Sequence, residues 1–379
     1  MKVLILGIDG YIGFPLALRL LDEGISVAGA DNFYTRKRVK KVGSKSVIKI
    51  NSFQTRNRKL NNAIKFYNGD ASNSKFIYDI IRAEKPDAIV HLAEQRSAPY
   101  SMISLKTANE TLIKNIESTM NILYAVKDIN PEIHIVKLGS MGEYGTPNID
   151  IPEGFIDINY KGRSDTLPFP RMGQSWYHLS KIFDTYNLML GNKIWNLQVS
   201  DVMQGVVYGT RTEEIIEHRL ATRFDIDQIY GTVLNRFVAQ AIIGYPLTVY
   251  GKGNQKRAFL SLEDSIACLD LILHNPPGEY KVYNQFDEYY PLNYLAEAVS
   301  SHYEKIYGKN ASIDHIQNPR VELEDHYYHP VNDNLRKLGY KRIRGIDDEI
   351  PAMLADVRSN INTVYSLKTV IKPSTAWKQ

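Results

Sequence analysis

The sequence is short of cysteine, of long apolar runs and, in one stretch, of acid. One cysteine, Cys268, stands among 379 residues. A lone thiol excludes an internal disulfide and any multi-cysteine metal site, so no metal is expected. No stretch approaches the roughly 18 uninterrupted apolar residues that a membrane-crossing helix needs. The N-terminal Met1-Lys2-Val3-Leu4-Ile5-Leu6 has neither a long apolar core nor a small-residue cleavage site. No signal peptide is read there, and a cytoplasmic chain is expected.

The shortage of acid is local. From Asn32 to Gly69 there are eleven Lys and Arg and no Asp or Glu. The chain carries +4 overall, with 46 cations against 42 acids, so the body outside this segment stands at −7. The segment, a basic insertion at about 33–65, has three readings. It is a solvated face, as charge runs usually are, a lid whose cations meet cofactor phosphate, or a docking patch for an acidic partner. Nucleic acid is not expected, because only Phe53, Phe66 and Tyr67 interleave with the cations.

What is present is a core-forming composition, 44% apolar and 23% charged. Short apolar runs at Val3–Leu6, Ser26–Ala30, Ile64–Tyr67, Ala88–Leu92, Ile133–Leu138 and Leu197–Val202 alternate with helical spacing. The helical stretches cover Gly13–Gly24, Ser72–Glu84, Leu105–Ile129 and Ser175–Ile194. That alternation predicts an α/β fold, a Rossmann-type doubly wound parallel sheet covered on both faces. Beyond about Gly205 the chain turns rich in Tyr, Asn, Pro and Gly. Shorter helices are expected near Thr232–Ile243, Glu263–His274, Pro291–Tyr307 and Asp347–Tyr365. The expected division is a dinucleotide-binding domain over 1–205 and a smaller α/β substrate-binding lobe over 206–379, partly interleaved with it.

Two constellations carry chemistry. Gly7, Gly10 and Gly13, spaced G-x-x-G-x-x-G with Tyr11 and Ile12 between, join the first strand to the first helix. Such a turn lets backbone approach a pyrophosphate at a helix N-terminus. Asp31, 21 residues after Gly10, ends the second strand, where an acid accepts from the adenosine ribose and repels a 2′-phosphate. NAD is therefore expected; Arg36, Lys37 and Arg38 close by weaken the case against NADP. Asn32 follows Asp31, and Asp70 and Ala71 follow the third strand, with Asp70 near the adenine. The second constellation is Tyr177 and Lys181, which at i and i+4 share a helix face. An ammonium there favours phenolate, and a phenolate can take a proton from a sugar hydroxyl. Ser140, at the carboxyl edge of the sheet, can bond the same oxygen.

Ser140, Tyr177 and Lys181 behind a glycine turn resemble the extended short-chain dehydrogenase/reductase family. Longer strings narrow the resemblance to its sulfosugar-forming branch. They are His91-Leu92-Ala93-Glu94-Gln95-Arg96-Ser97-Ala98-Pro99-Tyr100-Ser101-Met102 and Lys137-Leu138-Gly139-Ser140-Met141-Gly142-Glu143-Tyr144-Gly145-Thr146-Pro147-Asn148, with others as far as Trp377-Lys378. The resemblance implies UDP-glucose and sulfite as substrates and UDP-6-sulfo-quinovose as product. The implied course is oxidation at C4, loss of water from C5 and C6, addition of sulfite at C6 and reduction at C4, with tightly held NAD.

By the same resemblance Tyr177 is the base, Lys181 its partner and Ser140 the catalytic hydroxyl. Asn115 and Gln204 meet the cofactor. Arg96, Gln204, Asn235, Val249, Tyr250, Arg257, Arg320 and Glu322 meet the nucleotide sugar. A homodimer or higher homo-oligomer, built through helices Leu105–Ile129 and Ser175–Ile194, is implied as well. Nucleotide-sugar dehydratases follow the catalytic hydroxyl with two acids; here Met141 and Gly142 stand instead, and Gly142 is read as an open gap for sulfite. The C5 base and C6 acid are left to His178 or Glu143, each with a structural alternative. A UDP-glucose 4-epimerase or a dehydratase of the same fold is the competing reading.

Overall fold

The computed structural model describes residues 1–373 and 377. Its main sheet has seven strands in the spatial order Tyr280–Gln285, Val199–Gln204, His134–Leu138, Ala88–His91, Lys2–Leu6, Ser26–Asp31 and Lys65–Asn68. Every pairing is parallel. Alternate side chains of a strand point to opposite faces. Val3 and Ile5 accordingly pack on one face with Phe14, Leu16, Leu262 and Leu269. Leu4 and Leu6 pack on the other with Ile77, Ile81, Ile122 and Leu188. All four strand residues are fully buried, which is why the run is apolar without alternation. The order reverses between Lys2–Leu6 and Ala88–His91, and a crevice opens there at the carboxyl ends.

Six of the seven strands coincide with the apolar runs. The seventh, Tyr280–Gln285, is Tyr-Lys-Val-Tyr-Asn-Gln and shows no such run. It joins the edge by pairing Tyr280 with Val199 through Gln285 with Gln204. The helix before it, Leu262–His274, shares its core with the first helix, Gly13–Asp22. The chain thus returns to the first unit well after residue 205. The second lobe is built on helices Val233–Ile242, Leu292–Tyr307 and Ile346–Ser359. The expected helix over 347–365 breaks at Asn360 into Ile346–Ser359 and Ile361–Ser366. Two small sheets line its inner side: Leu247–Tyr250 beside Ile313–Ile316, and Lys256–Ser261 between Val206–Tyr208 and Glu288–Pro291. A further hairpin, Phe155–Tyr160 with Arg163–Pro168, turns at Lys161 and Gly162, both with positive φ. Two such residues make the tight turn whose twist suits a hairpin.

The basic segment is solvated at eight of its eleven cations, but it is more than a solvated insertion. It forms helices Tyr34–Lys41 and Phe53–Lys59, with Arg58 exposed and Arg36 half-buried. Lys37, Lys40, Lys41, Lys45, Lys49, Lys59 and Lys65 are exposed, but Arg56 is 1% exposed and Arg38 is 8%. Arg56 stacks on Phe14, 3.7 Å from the ring centre, and Phe53 enters the sheet core. Val47 enters the core of the second lobe, and its N–H donates to the Phe224 carbonyl at 2.9 Å. The segment is a wedge between the two units. Among the described residues no helix is long and apolar enough to cross a membrane.

Candidate active site

Two adjoining cavities occupy the crevice. Tyr11, Ile12, Arg96, Gly139, Tyr177 and Gln204 line both, so they form one continuous site.

The first cavity runs along the carboxyl ends of the strands. Its lining includes Gly7, Gly10, Tyr11, Ile12, Gly13, Asp31, Asn32, Asp70, Ala71, Asn115, Tyr177, Lys181 and Gln204. The sequence-expected cofactor residues therefore share one wall. The fit to a dinucleotide rests on the glycine turn. A Cβ on Gly7 would stand 2.8 Å from the Leu92 carbonyl, and one on Gly13 would stand 2.5 Å from the Gly7 oxygen. No side chain caps the N-terminus of Gly13–Asp22, and its first turn holds no acid. Uncapped N–H groups and the helix dipole at a cavity wall suit a pyrophosphate.

Asp31 accepts from the backbone N–H of Asp9 at 2.9 Å and of Phe33 at 2.7 Å. Burial, then the charge of Asp9, pushes its carboxyl up to about 6. Asp9 itself is clamped by the wedge. Arg36 meets both its oxygens at 2.5 and 2.8 Å, and Arg56 meets one at 2.5 Å. Arg38 pairs with Glu110 at 2.8 Å. Of the three cations that weakened the case against NADP, Arg36 and Arg38 are thus engaged by carboxylates, while the exposed Lys37 lies over the Tyr34 ring at 4.9 Å.

The second cavity lies between Ser140, Tyr177 and the inner sheets of the second lobe. Of the expected substrate residues, Arg96, Ser140, Tyr177, Gln204, Tyr250, Arg257, Arg320 and Glu322 line it. Asn235 and Val249 do not: both are buried, Val249 in the lobe's apolar core. Arg236, next to Asn235, turns to the cavity instead, with its guanidinium 4.9 Å from the Tyr250 ring centre. Neighbours on a helix point about 100° apart, so a one-residue change of face is decided by packing. Arg257 pairs with Glu322, and Arg320 lies between the rings of Tyr250 and Trp377, at 5.6 and 5.4 Å. Arg96 bonds Asp225 at 2.6 Å and the Tyr230 carbonyl at 3.0 Å. Lys378, the last residue of the matching strings, lies outside the described residues.

At the junction, the Ser175 hydroxyl caps helix Trp176–Trp195, which carries Tyr177, His178 and Lys181. The Lys181 ammonium donates to the Leu138 carbonyl at 2.5 Å and pairs with Glu94 at 2.6 Å. Burial pushes the Tyr177 phenol up, and Lys181 offsets part of that. Ser140 opens a short 3-10 turn, its hydroxyl accepting from the Gly142 N–H at 3.1 Å. The Glu143 carboxylate answers by accepting from the Ser140 N–H at 2.9 Å.

Glu143 does not face the sugar. It is fully buried and accepts from Arg171 at 2.9 Å and Thr185 at 3.1 Å, with the Lys137 ammonium 3.7 Å away. It anchors the Ser140 turn from behind. Gly142 is not an open gap either. A Cβ there would stand 2.3 Å from Nε2 of His178, so the imidazole fills that space. His178 pairs through Nδ1 with the Ser175 hydroxyl at 3.1 Å, which leaves Nε2 toward Gly142. Burial, then Arg320 and Arg257, holds the imidazole down at about 3, so it is neutral. Glu94, Arg236 and the Asp9 clamp were not singled out in the sequence, although Glu94 sits inside a matching string.

The model of the NAD dependent epimerase/dehydratase family matches residues 3–284. The UDP-sulfoquinovose synthase of Sulfolobus acidocaldarius is 47% identical over 386 aligned positions, covering 100% of this chain and 98% of that protein. The chloroplastic UDP-sulfoquinovose synthase of Spinacia oleracea is 42% identical, covering 100% of this chain and 79% of the relative. Among solved structures, a Bacillus cereus UDP-glucuronic acid 4-epimerase in complex with UDP-glucuronic acid and NAD superposes with a TM-score of 0.71. The match covers 95% of this chain and 99% of that one at 21% identity, a likeness of fold. The chain belongs to the NAD dependent epimerase/dehydratase family, on the branch of the UDP-sulfoquinovose synthases.

Proposed function

We propose that the chain makes UDP-6-sulfo-quinovose from UDP-glucose and sulfite. The observation that carries this is the full-length similarity to two UDP-sulfoquinovose synthases. The site adds the means. Arg96, Arg236, Arg257 and Arg320 face a cavity whose lining holds one carboxylate, Glu322, which suits a nucleoside diphosphate. NAD, when bound in the first cavity, would accept and later return the C4 hydrogen, and its nicotinamide charge would add to that of Lys181.

In this reading the Tyr177 oxygen takes the proton of the C4 hydroxyl and Ser140 bonds that oxygen. Lys181 keeps the phenolate accessible. His178 takes the C5 proton on Nε2 and passes it to the C6 hydroxyl, which leaves as water; when hydrogensulfite adds at C6, its proton returns to C5 through the same nitrogen. Burial keeps its imidazole neutral first, and the two arginines that add to that effect are the two placed to meet the diphosphate, so substrate charge would offset their part where the C5 proton is presented. Met141 cannot carry a proton, which leaves the addition face at C6 without a competing acid.

A homodimer belongs to the same proposal. Ile113, Phe183, Tyr186, Leu190 and Ile194, on the paired helices Leu105–Ile129 and Trp176–Trp195, are each 44–53% exposed. An apolar face of that kind marks an interface. A cytoplasmic site of action goes with it.

Incubation with UDP-glucose, NAD and sulfite, followed by mass analysis, tests the function. A sulfonated UDP-sugar is expected. UDP-galactose or a 4-keto-6-deoxy product without sulfonate would give the site to an epimerase or a dehydratase.

A further inference from the structure

Glu94 lies in the first cavity, on the loop after strand Ala88–His91, with both carboxylate oxygens buried. One oxygen stands 2.6 Å from the Lys181 ammonium and the other 3.1 Å from Nε2 of His91. His91 is 1% exposed; its Nε2 also lies 3.2 Å from the Ser118 hydroxyl, and its Nδ1 has no partner. The contacts favour a hydrogen on Nε2, which fixes the carboxylate plane. An ammonium has three donors. The Leu138 carbonyl accepts from the Lys181 ammonium and the Glu94 carboxylate pairs with it, which holds the ammonium at the wall of the cavity that Tyr177 also lines.

We propose that Glu94 is a positioning residue: it keeps the buried Lys181 ammonium charged and aimed, and His91 holds the carboxylate for that task. The proposal rests on Tyr177 and Lys181 being the proton-transfer pair. A Lys that is 4% exposed pays for desolvation by losing its proton unless a carboxylate answers it. The other charged or titratable groups around the pair are Lys137, Asp184, Glu143, Tyr177 and His91. Burial pushes Asp184 up toward its neutral form, Glu143 is spent on Arg171 and Ser140, and Lys137 repels Lys181. That leaves Glu94 as the answering anion. Burial pushes its carboxyl up most strongly, yet Lys181, His91 and Lys137 together outweigh burial and hold it low. Glu94 is absent from the lining of the second cavity, so it does not serve the sugar as an acid or base.

The test uses the full chain with Glu94→Gln, Glu94→Asp and Lys181→Met. The Lys181 Nζ titration, followed by NMR on 15N-lysine protein and assigned with Lys181→Met, should move down by about one pH unit or more in Glu94→Gln. The alkaline limb of the kcat–pH profile should move down with it. Glu94→Asp should recover most of both. A folded Glu94→Gln protein with the wild-type Lys181 titration and the wild-type alkaline limb would overturn the proposal. If Glu94→Gln does not fold, Glu94→Asp decides: a smaller downward shift supports the role, and no shift refutes it. Full turnover by Lys181→Met would instead sink the reading of the Tyr177–Lys181 pair, leaving the NMR shift to judge Glu94 separately.

Discussion

Asp31 and His178 show how the same force, burial, moves two groups in opposite directions. Burial raises the Asp31 carboxyl to about 6, since a charged carboxylate loses its water. Below about pH 6 the free protein holds a proton there, which ribose hydroxyls would have to displace in the proposed cofactor site. The affinity of the cofactor-free protein for NAD should therefore fall about tenfold per pH unit below about 6. Asp31→Asn should flatten that dependence, and calorimetric titration against pH measures it. For stability the sign is reversed. A carboxyl raised in the folded state favours folding below its unfolded value, and that gain is lost as pH rises through about 6. His178, held at about 3, is neutral throughout the working range. His178→Asn should permit C4 oxidation, seen as NADH absorbance, and stop before sulfonation; unchanged turnover would remove His178 from the reaction. Gly142→Ala should produce a milder form of the same defect by displacing the imidazole, with thermal stability near wild type.

At the scale of the element, the basic segment matters most. Its arginines grip the glycine turn through Asp9, and its apolar residues reach both cores. Asp9→Ala would leave Arg56 charged and buried without its partner. Breaking a buried pair in this way costs about 3–5 kcal/mol. Urea denaturation should show a loss of that order, and bound NAD should leave faster on dialysis. Arg56→Met, which keeps the stacking volume against Phe14 and removes the charge, should cost less. If both variants hold NAD as the wild type does, the clamp is a device for stability alone. The Ser140 turn has its own anchor in Glu143, which Arg171, Thr185 and Lys137 hold from behind.

At the scale of the whole molecule, the site exists only where the two units meet. The parallel sheet supplies the glycine turn, Ser140 and the Tyr177 helix, and the second lobe supplies Arg236, Tyr250, Arg257 and Arg320. Tyr11 ties them, its hydroxyl donating to the Gly209 carbonyl at 2.6 Å. The exposed apolar faces of Leu105–Ile129 and Trp176–Trp195 lie on the helices beside the reacting groups. Leu190→Asp should shift the protein toward monomer by light scattering. A monomeric wild type, with no change in the variant, would remove the dimer.

The sequence by itself determined the parallel sheet, because strands buried on both faces must read as unbroken apolar runs. It also determined the glycine turn, Asp31 and the spacing of Tyr177 to Lys181, since these are local facts of backbone conformation and helix pitch. It hid the strand Tyr280–Gln285, whose polar residues are satisfied by neighbours distant in the chain. The tertiary structure alone decided what faces what. Asn235 yields to Arg236 because packing fixes which side of a helix meets the cavity. Glu143 becomes an anchor because Arg171 and Lys137 arrive from other elements. The gap at Gly142 closes because the His178 ring reaches it from another helix. Three of the eleven cations leave the solvated run for a wedge because Asp9 lies within reach of Arg36 and Arg56, and Glu110 within reach of Arg38. Charge along a chain states how much must be neutralised, and only the fold brings the partner.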